Sequence, residues 1–386
     1  MPAERLRIAF VCDEYPPAPH GGIGTFVRTL GRALVRRGHE VRVIGVRRSV
    51  QDQTPDHQDD TGVQVMRLPP GGPGLGWVAA RRRLASRLAQ WSRRGEIDVI
   101  EVADWEGWAA GWPAFDTPVV VRLHGTASYF AAELGTRVRP LVRWLERRGI
   151  TRADRICATS AYVAERTAEL FPGMRTPTVL HNASAVPAPT EFGERQRERV
   201  VFAGTLTPKK GVLSLASAWP MVVEQCPWAT LDFYGADTVH DRVSTAEVIR
   251  VLTAGHASVR VHGRVTHDTV VGALRTARVA ALPSYVEAFA LAPLEAMACG
   301  CPTVVGRRGA APELGAEGID LLMVDPDEPR ELAKAIVRVL TDDSLAQRLA
   351  EQGRHRVADA FDIERAADAN LAFYRACVRE RKGVHA

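Results

Sequence analysis

Short β-branched runs alternate along this chain with longer segments whose apolar positions recur at helical spacing. In the first half the pattern predicts strands at RIAFVC, EVRVIGV, QVMRL, DVIEVA, PVVVRLHG, DRICATS and TPTVLHN. Helices are expected between most of them, over Gly22 to Arg37, Ala79 to Arg94, Arg139 to Arg148 and Ala161 to Leu170. The stretch NASAVPAPTEFGERQRER, rich in proline and charge, then breaks the alternation. It restarts with VVFAGT, a helix over Gly211 to Glu224, and strands at TLDFYG, SVRVHGRV, RVAALPS, PTVVG and DLLMVD. A last helix is expected from Asp362 to about Arg379.

Strands alternating with helices predict parallel sheets with right-handed crossovers. The fold class expected is therefore α/β, with two doubly wound Rossmann-like domains. The breaks in the pattern place an N-terminal domain at 1–185, a linker at 186–199, a second domain at 200–361 and a C-terminal segment at 362–386. Open sheets of this kind bind ligands at the carboxyl ends of their strands. The expected site lies where two such edges face one another.

Composition narrows the class. A chain of 386 residues exceeds the usual single-core limit, so two domains are the natural expectation. The six cysteines form no Cys-x2-Cys pair, and no stretch reads as a signal peptide or membrane span. A cytoplasmic protein with reduced thiols is expected. Charge is uneven: through Ala185 there are 26 Lys+Arg against 19 Asp+Glu, a balance of +7, and the remainder holds 24 against 26, a balance of −2. The excess concentrates in AARRRLASRLAQWSRRG, with Leu84, Leu88 and Trp91 on one face, and in RVRPLVRWLERRG, with Leu141, Val142 and Leu145. Either could lie on an anionic membrane as a peripheral contact at the inner face. The favoured reading is that each is an ordinary surface helix packing its apolar face on a sheet. Nucleic acid is disfavoured, because no aromatic platform or reader motif interleaves the basic residues.

Five places carry candidate chemistry. PSYVEAFALAPLEAMACGCPTVVGRRGAAPEL, from Pro283 to Leu314, reads as a strand end, a turn with Glu287, and a helix opening at Pro293 with Glu295 in its first turn. Free amides at such a helix start suit a phosphate, and the carboxylate beside them can accept sugar hydroxyls. FAGTLTPKKGVLSL places Lys209 and Lys210 before Gly211 at another helix start. An ammonium and free amides there suit a diphosphate leaving group. DEYPPAPHGGIGTF puts Gly21, Gly22 and Gly24 where strand passes to helix, without the dinucleotide spacing G-x-G-x-x-G. His124, in RLHGTA, and Asp104 and Glu106, in EVADWEGW, end two more strands. Trp105 and Trp108 beside them offer a stacking face or simple packing. Asp325-Pro-Asp327 reads as a helix start, so no metal site is expected.

The Glu-x7-Glu spacing of Glu287 and Glu295, followed by AMACG and PTVV, resembles the signature of retaining glycosyltransferase family 4, enzymes of the GT-B fold. The resemblance runs from Arg7 to about Tyr374. It implies a retaining, metal-independent transfer of sugar from a nucleotide-diphosphate donor to an acceptor hydroxyl, with no cofactor. It also implies a terminal helix that crosses back to the first domain. Glu287, His124 and Lys210 are then expected at the reaction centre. Donor contacts are expected from Gly22, Gly204, Thr205, Lys209, Lys210, Gly235, Val265, Phe289, Ala290, Leu291 and Glu295, and acceptor contacts from Gly21, Asp104 and Glu106. Two departures stand out. Thr205 occupies a position where the family usually has arginine, with Lys209, Arg307 or Arg308 as candidate replacements, and Ala290 stands where glycine is usual. The alternatives are a GT-B sugar-nucleotide epimerase or phosphorylase, or a non-catalytic nucleotide-sugar binding protein.

Overall fold

The computed structural model describes residues 5–49, 51–72, 74–186, 194–240 and 242–384. Residues 187–193 of the expected linker lie outside the described residues, as do 1–4 of the first domain and 385–386 of the C-terminal segment. The chain divides into two compact units, Met1–Asn182 with Ile363–Ala386, and Ala183–Asp362.

The first unit is built on eight strands: β1 (Arg7–Val11), β2 (Glu40–Val46), β3 (His57–Asp60), β4 (Val63–Leu68), β5 (Val99–Ala103), β6 (Val119–Leu123), β7 (Arg155–Ala158) and β8 (Thr178–Val179). They lie in the order β3-β4-β2-β1-β5-β6-β7-β8. All neighbours are parallel except β3, which pairs antiparallel with β4 at the edge. The order reverses between β1 and β5, so the chain turns that follow those strands lie side by side.

The second unit contains β9 (Gln196–Ala203), β10 (Thr230–Tyr234), a small hairpin of β11 (Val239–His240) and β12 (Val243–Ser244), then β13 (Val259–Gly263), β14 (Ala277–Leu282), β15 (Thr303–Gly306) and β16 (Leu322–Val324). Its main sheet runs β13-β10-β9-β14-β15-β16, all parallel. Counting strands within this sheet, the order is 3-2-1-4-5-6, that of a mononucleotide-binding doubly wound sheet, with its reversal between β9 and β14. The strand β9 starts at Gln196, so the last residues of the expected linker are paired: Arg199 sits opposite Thr230. Alternation in QRERVVFA is hidden because its first half is polar and its second half is buried on both faces. The core beneath is apolar: Phe202, Leu231, Phe233 and Val279 from the sheet meet Leu215 and Trp219 of the helix Val212–Gln225.

The final helix, Ile363–Val384, runs longer than its sequence pattern predicts and belongs to the first unit. A buried polar network ties it there. The Arg122 guanidinium donates to both oxygens of Glu101, at 2.8 and 2.9 Å, and to Asn370 of the final helix. Tyr374, also on that helix, donates its hydroxyl to Glu101 at 2.7 Å. Among the described residues, no helix is long and apolar enough to cross a membrane.

Candidate functional site

In the second unit the sequence-derived residues gather at the strand reversal. After β9, Gly204 and Thr205 lead into a 3-10 turn, Pro208–Lys210, and then the helix Val212–Gln225. Gly211 joins them at φ 72°, and a side chain there would collide with the Pro283 carbonyl that ends β14. Gly235, after β10, is packed backbone to backbone against Gly204 in the same way. The Tyr285 amide donates to the Lys209 carbonyl at 2.8 Å, so the turns after β9 and β14 are tied directly. Across that tie, Lys210 and Glu287 form an ion pair, each partly exposed. The structure thus brings together the cation and the carboxylate that the sequence pattern singled out.

Glu295 sits differently from the expectation. The helix begins at Leu291, not Pro293, which places Glu295 in the second turn. Pro293 is still accommodated because the first N–H groups of a helix have no intrahelical partner to lose. Burial raises the Glu295 carboxyl above its usual range, and His267, 3.9 Å away, offsets only part of that rise. His267 opens the helix His267–Thr276, just after Val265 and the N-cap Thr266. Sequence reasoning missed it, because its partner Glu295 lies far along the chain on another helix.

Helix starts in this unit differ in what meets their first amides; Ala311–Leu314 and Pro329–Thr341 lack a side-chain cap but carry Glu313 and Glu331 in the first turn. Ser244, Thr266 and Asp342 cap theirs with side-chain oxygens. The two helices that start at the reversal, Val212–Gln225 and Leu291–Ala298, have Gly211 and Ala290 at the N-cap, no side-chain cap and no acid in the first turn. Neither N-cap residue offers a side-chain acceptor to the first amides, and Lys210 stands at one of the two starts. Ala290 adopts φ −73° and ψ 134°, which any L residue adopts, so alanine in place of glycine carries no backbone strain. Phe289 is buried against Phe361, with ring centroids 5.3 Å apart. Thr205 is exposed, and both candidate arginines are engaged with acids. Arg307 pairs with Glu331, and Arg308 with Asp325 and Asp327. Those pairs also account for the Asp-Pro-Asp segment. Lys209 is half-buried, and burial lowers its ammonium below the usual range.

In the first unit the residues after β1, β5 and β6 meet the expectations unevenly. The helix Gly22–Arg36 starts where the glycine turn predicts. Its Gly24 amide, however, already donates to the Glu14 carboxylate at 2.9 Å, and a side chain at Gly24 would collide with the Glu14 backbone. The chain supplies an anion of its own at this helix start. Glu14 was passed over because ten residues separate it from the amide it accepts. Gly21 and Gly22 remain exposed.

His124 lies edge-on to Phe26 at 5.3 Å, and burial together with the Arg122 guanidinium pushes its imidazole down to about 3. It is a neutral ring at physiological pH. Asp104 corrects an expectation: it is 1% exposed, and accepts from the amides of His124 at 3.0 Å and Gly125 at 3.2 Å. It shapes the turn that carries His124 and has no free face for an acceptor. Burial pushes its carboxyl up to about 8. Glu106 is exposed, at φ 55°, with its backbone held by Arg81 at 2.6 Å. Trp108 packs under Arg81, 4.6 Å from ring to guanidinium, whereas Trp105 stays partly open against Phe130. Among the described residues no cluster of His, Cys, Asp and Glu could hold a metal ion.

Comparison with known proteins agrees with this geometry. Residues 21–183 match the model of the glycosyl transferase 4-like domain, and residues 197–342 that of glycosyl transferases group 1. The chain is 30% identical to a D-inositol 3-phosphate glycosyltransferase of Kineococcus radiotolerans, covering 94% of this chain and 92% of the relative. It is 29% identical to a glycogen synthase of Mycobacterium tuberculosis, covering 97% and 95%. The solved structure of sucrose-phosphate synthase from Thermosynechococcus elongatus superposes with a TM-score of 0.80 at 23% identity, over 96% of this chain and 99% of that one. Two matched domain models, a full-length relative and the paired doubly wound sheets agree: the chain belongs to glycosyltransferase family 4, transferases of the GT-B fold.

Proposed function

We propose that this glycosyltransferase takes its sugar from a nucleoside-diphosphate donor held by the second unit and transfers it, with retention of configuration, to a hydroxyl of a small molecule or saccharide. The observation that carries this reading is the pair of uncapped, acid-free helix starts at the β9–β14 reversal, with Lys210 at one and Glu295 inside the other. The amides and the ammonium suit the two phosphates, and the carboxylate suits the ribose hydroxyls. Gly204, Gly235 and Val265, at the ends of β9, β10 and β13, line the edge where the base would lie against backbone groups.

Retention fits the residues available. In a front-face displacement the departing phosphate oxygen takes the proton of the acceptor hydroxyl, so no protein base is required. The negative charge that grows on the leaving group falls to Lys210 and the helix starts. Glu287 holds the Lys210 ammonium in place. His124, neutral and half-buried, suits a hydrogen bond to a sugar hydroxyl without adding positive charge near an oxocarbenium-like centre. On the acceptor side the reading keeps Gly21 and Glu106, which are exposed.

Two measurements test this. Glu295→Ala should weaken the affinity for the preferred nucleoside diphosphate by about 1–3 kcal/mol in a calorimetric titration, through the hydroxyls left unpaired. Because burial raises the Glu295 carboxyl, the wild-type affinity should fall on acidification sooner than an exposed glutamate would give, as the ionised acceptor is lost. Unchanged affinity in the variant would remove the assignment. Transfer should also proceed at full rate after exhaustive chelation, because Lys210 and the helix starts supply the positive charge. Activity abolished by chelator and restored only by magnesium or manganese would show that they do not.

A further inference from the structure

The two basic helices of the first unit have different fates. In Gly76–Arg93 the apolar face is spent: Leu84, Leu88 and Trp91 are buried on the sheet. In Pro140–Thr151 only Leu145, Glu146, Gly149 and Ile150 are buried, while Leu141 is 54% and Trp144 57% exposed. Leu141 and Trp144 are three residues apart and so share one outward stripe.

Charge surrounds that stripe. Between 134 and 152 the exposed residues include Arg137, Arg139, Arg143, Arg147, Arg148 and Arg152. The sole acid on the helix, Glu146, is buried and accepts from the Ala127 and Ser128 amides at 2.8 and 3.2 Å. No carboxylate of the helix therefore offsets the six arginines at the surface. Just before the helix, Leu134 adds another exposed apolar side chain. At the start of Gly76–Arg93, Leu75 and Trp77 are also exposed. Arg81 links the two: it stacks on Trp77 and Trp108 and donates to the Gly107 carbonyl at 2.7 Å. Gly107 in turn packs without room for a side chain against the backbone of Leu145 and Glu146.

We propose that this face docks on an anionic phospholipid bilayer, with Leu141 and Trp144 entering the headgroup region and the arginines meeting lipid phosphates. Arginine with tryptophan and leucine on one outward helix face is the composition that an anionic interface recognises. A polyanion such as polyphosphate would use the arginines but gain nothing from two large apolar side chains more than half exposed. A neutral glucan would use the tryptophan but not the arginines.

The test is sedimentation of the full-length protein with vesicles of phosphatidylcholine alone and of phosphatidylcholine with phosphatidylglycerol. The expected result is salt-sensitive binding to the anionic vesicles only. Leu141→Ser with Trp144→Ser should weaken it about tenfold or more, as should Arg143→Ser with Arg147→Ser. All four positions are on the outward face, so the fold is retained, and transferase activity on a water-soluble acceptor should be unchanged. Arg93→Ser with Arg94→Ser, at the far end of the other basic helix, should bind as the wild type does. The proposal is overturned by an absence of vesicle binding, or by equal weakening in the Arg93 and Arg94 variant. It is also overturned if polyphosphate binding is unaffected by the Leu141 and Trp144 changes and displaces the vesicles.

Discussion

Replacing Arg122 by Met should destabilise the first unit by about 3–5 kcal/mol, the cost of removing one partner from a buried ion pair. Both residues of the pair are inaccessible: the side chain of Arg122 is 0% exposed and that of Glu101 3%. The guanidinium satisfies both carboxylate oxygens, the Leu180 carbonyl at 3.3 Å and Asn370, and stacks on Phe26 at 4.8 Å. Methionine would fill the volume but leave Glu101 with the Tyr374 hydroxyl as its remaining side-chain donor in the network. Equilibrium urea unfolding should show the loss in the transition that reports the first unit. Amides of Ile363–Val384 should also lose protection from hydrogen exchange, because Asn370 and Tyr374 attach that helix to the network. A loss below about 1 kcal/mol would mean that the network contributes no more than an exposed pair. The same substitution removes one of the two influences that depress the His124 imidazole, so its pKa should rise while burial still holds it low.

Lys210→Ala should lower kcat by about 100- to 1,000-fold, the usual effect of deleting one preorganised contact to a developing charge. The reason is local. In the wild type the ammonium is already held by Glu287 at the start of the helix Val212–Gln225, so it needs no reorganisation when the leaving phosphate gains charge. Lys210→Arg should recover part of the rate, since the charge is kept while the point geometry of an ammonium is replaced by a planar fork. The variant should unfold like the wild type, because Lys210 and Glu287 are both partly exposed. A rate within tenfold of the wild type would place the leaving-group charge on some other residue.

How far the chain could be read before its structure was known follows from which physical signals are local. The parallel sheets were legible because strands such as VVVRL are buried along their whole length and read as continuous apolar runs. The edge strand His57–Asp60 was not, because HQDD carries no apolar alternation and forms only by pairing with β4. The hairpin at Val239–Ser244 escaped for the same reason: two-residue strands have no period. Within the site, Lys210 beside Gly211 was legible because a lysine and a glycine at a helix start announce themselves in sequence. The N-terminus of the Leu291 helix was misjudged by two residues, because proline is tolerated throughout the first turn and does not mark its first position alone. Asp104 was misread because its burial depends on the turn after β6, twenty residues away. Glu14 and His267 act through partners distant in sequence, and no local pattern could have paired His267 with Glu295.

In the proposed donor complex labour is divided: Glu295 would hold the pentose and Lys210 the terminal phosphate of the donor nucleotide. A thermal-shift panel of UDP, GDP, dTDP and ADP identifies the base. Titration of that nucleoside as its monophosphate and its diphosphate, against wild type, Glu295→Ala and Lys210→Ala, then tests the division. Glu295→Ala should weaken both ligands alike, whereas Lys210→Ala should weaken the diphosphate and leave the monophosphate nearly unchanged. If Lys210→Ala weakened both equally or neither, or if Glu295→Ala spared the monophosphate, the donor would not lie as described.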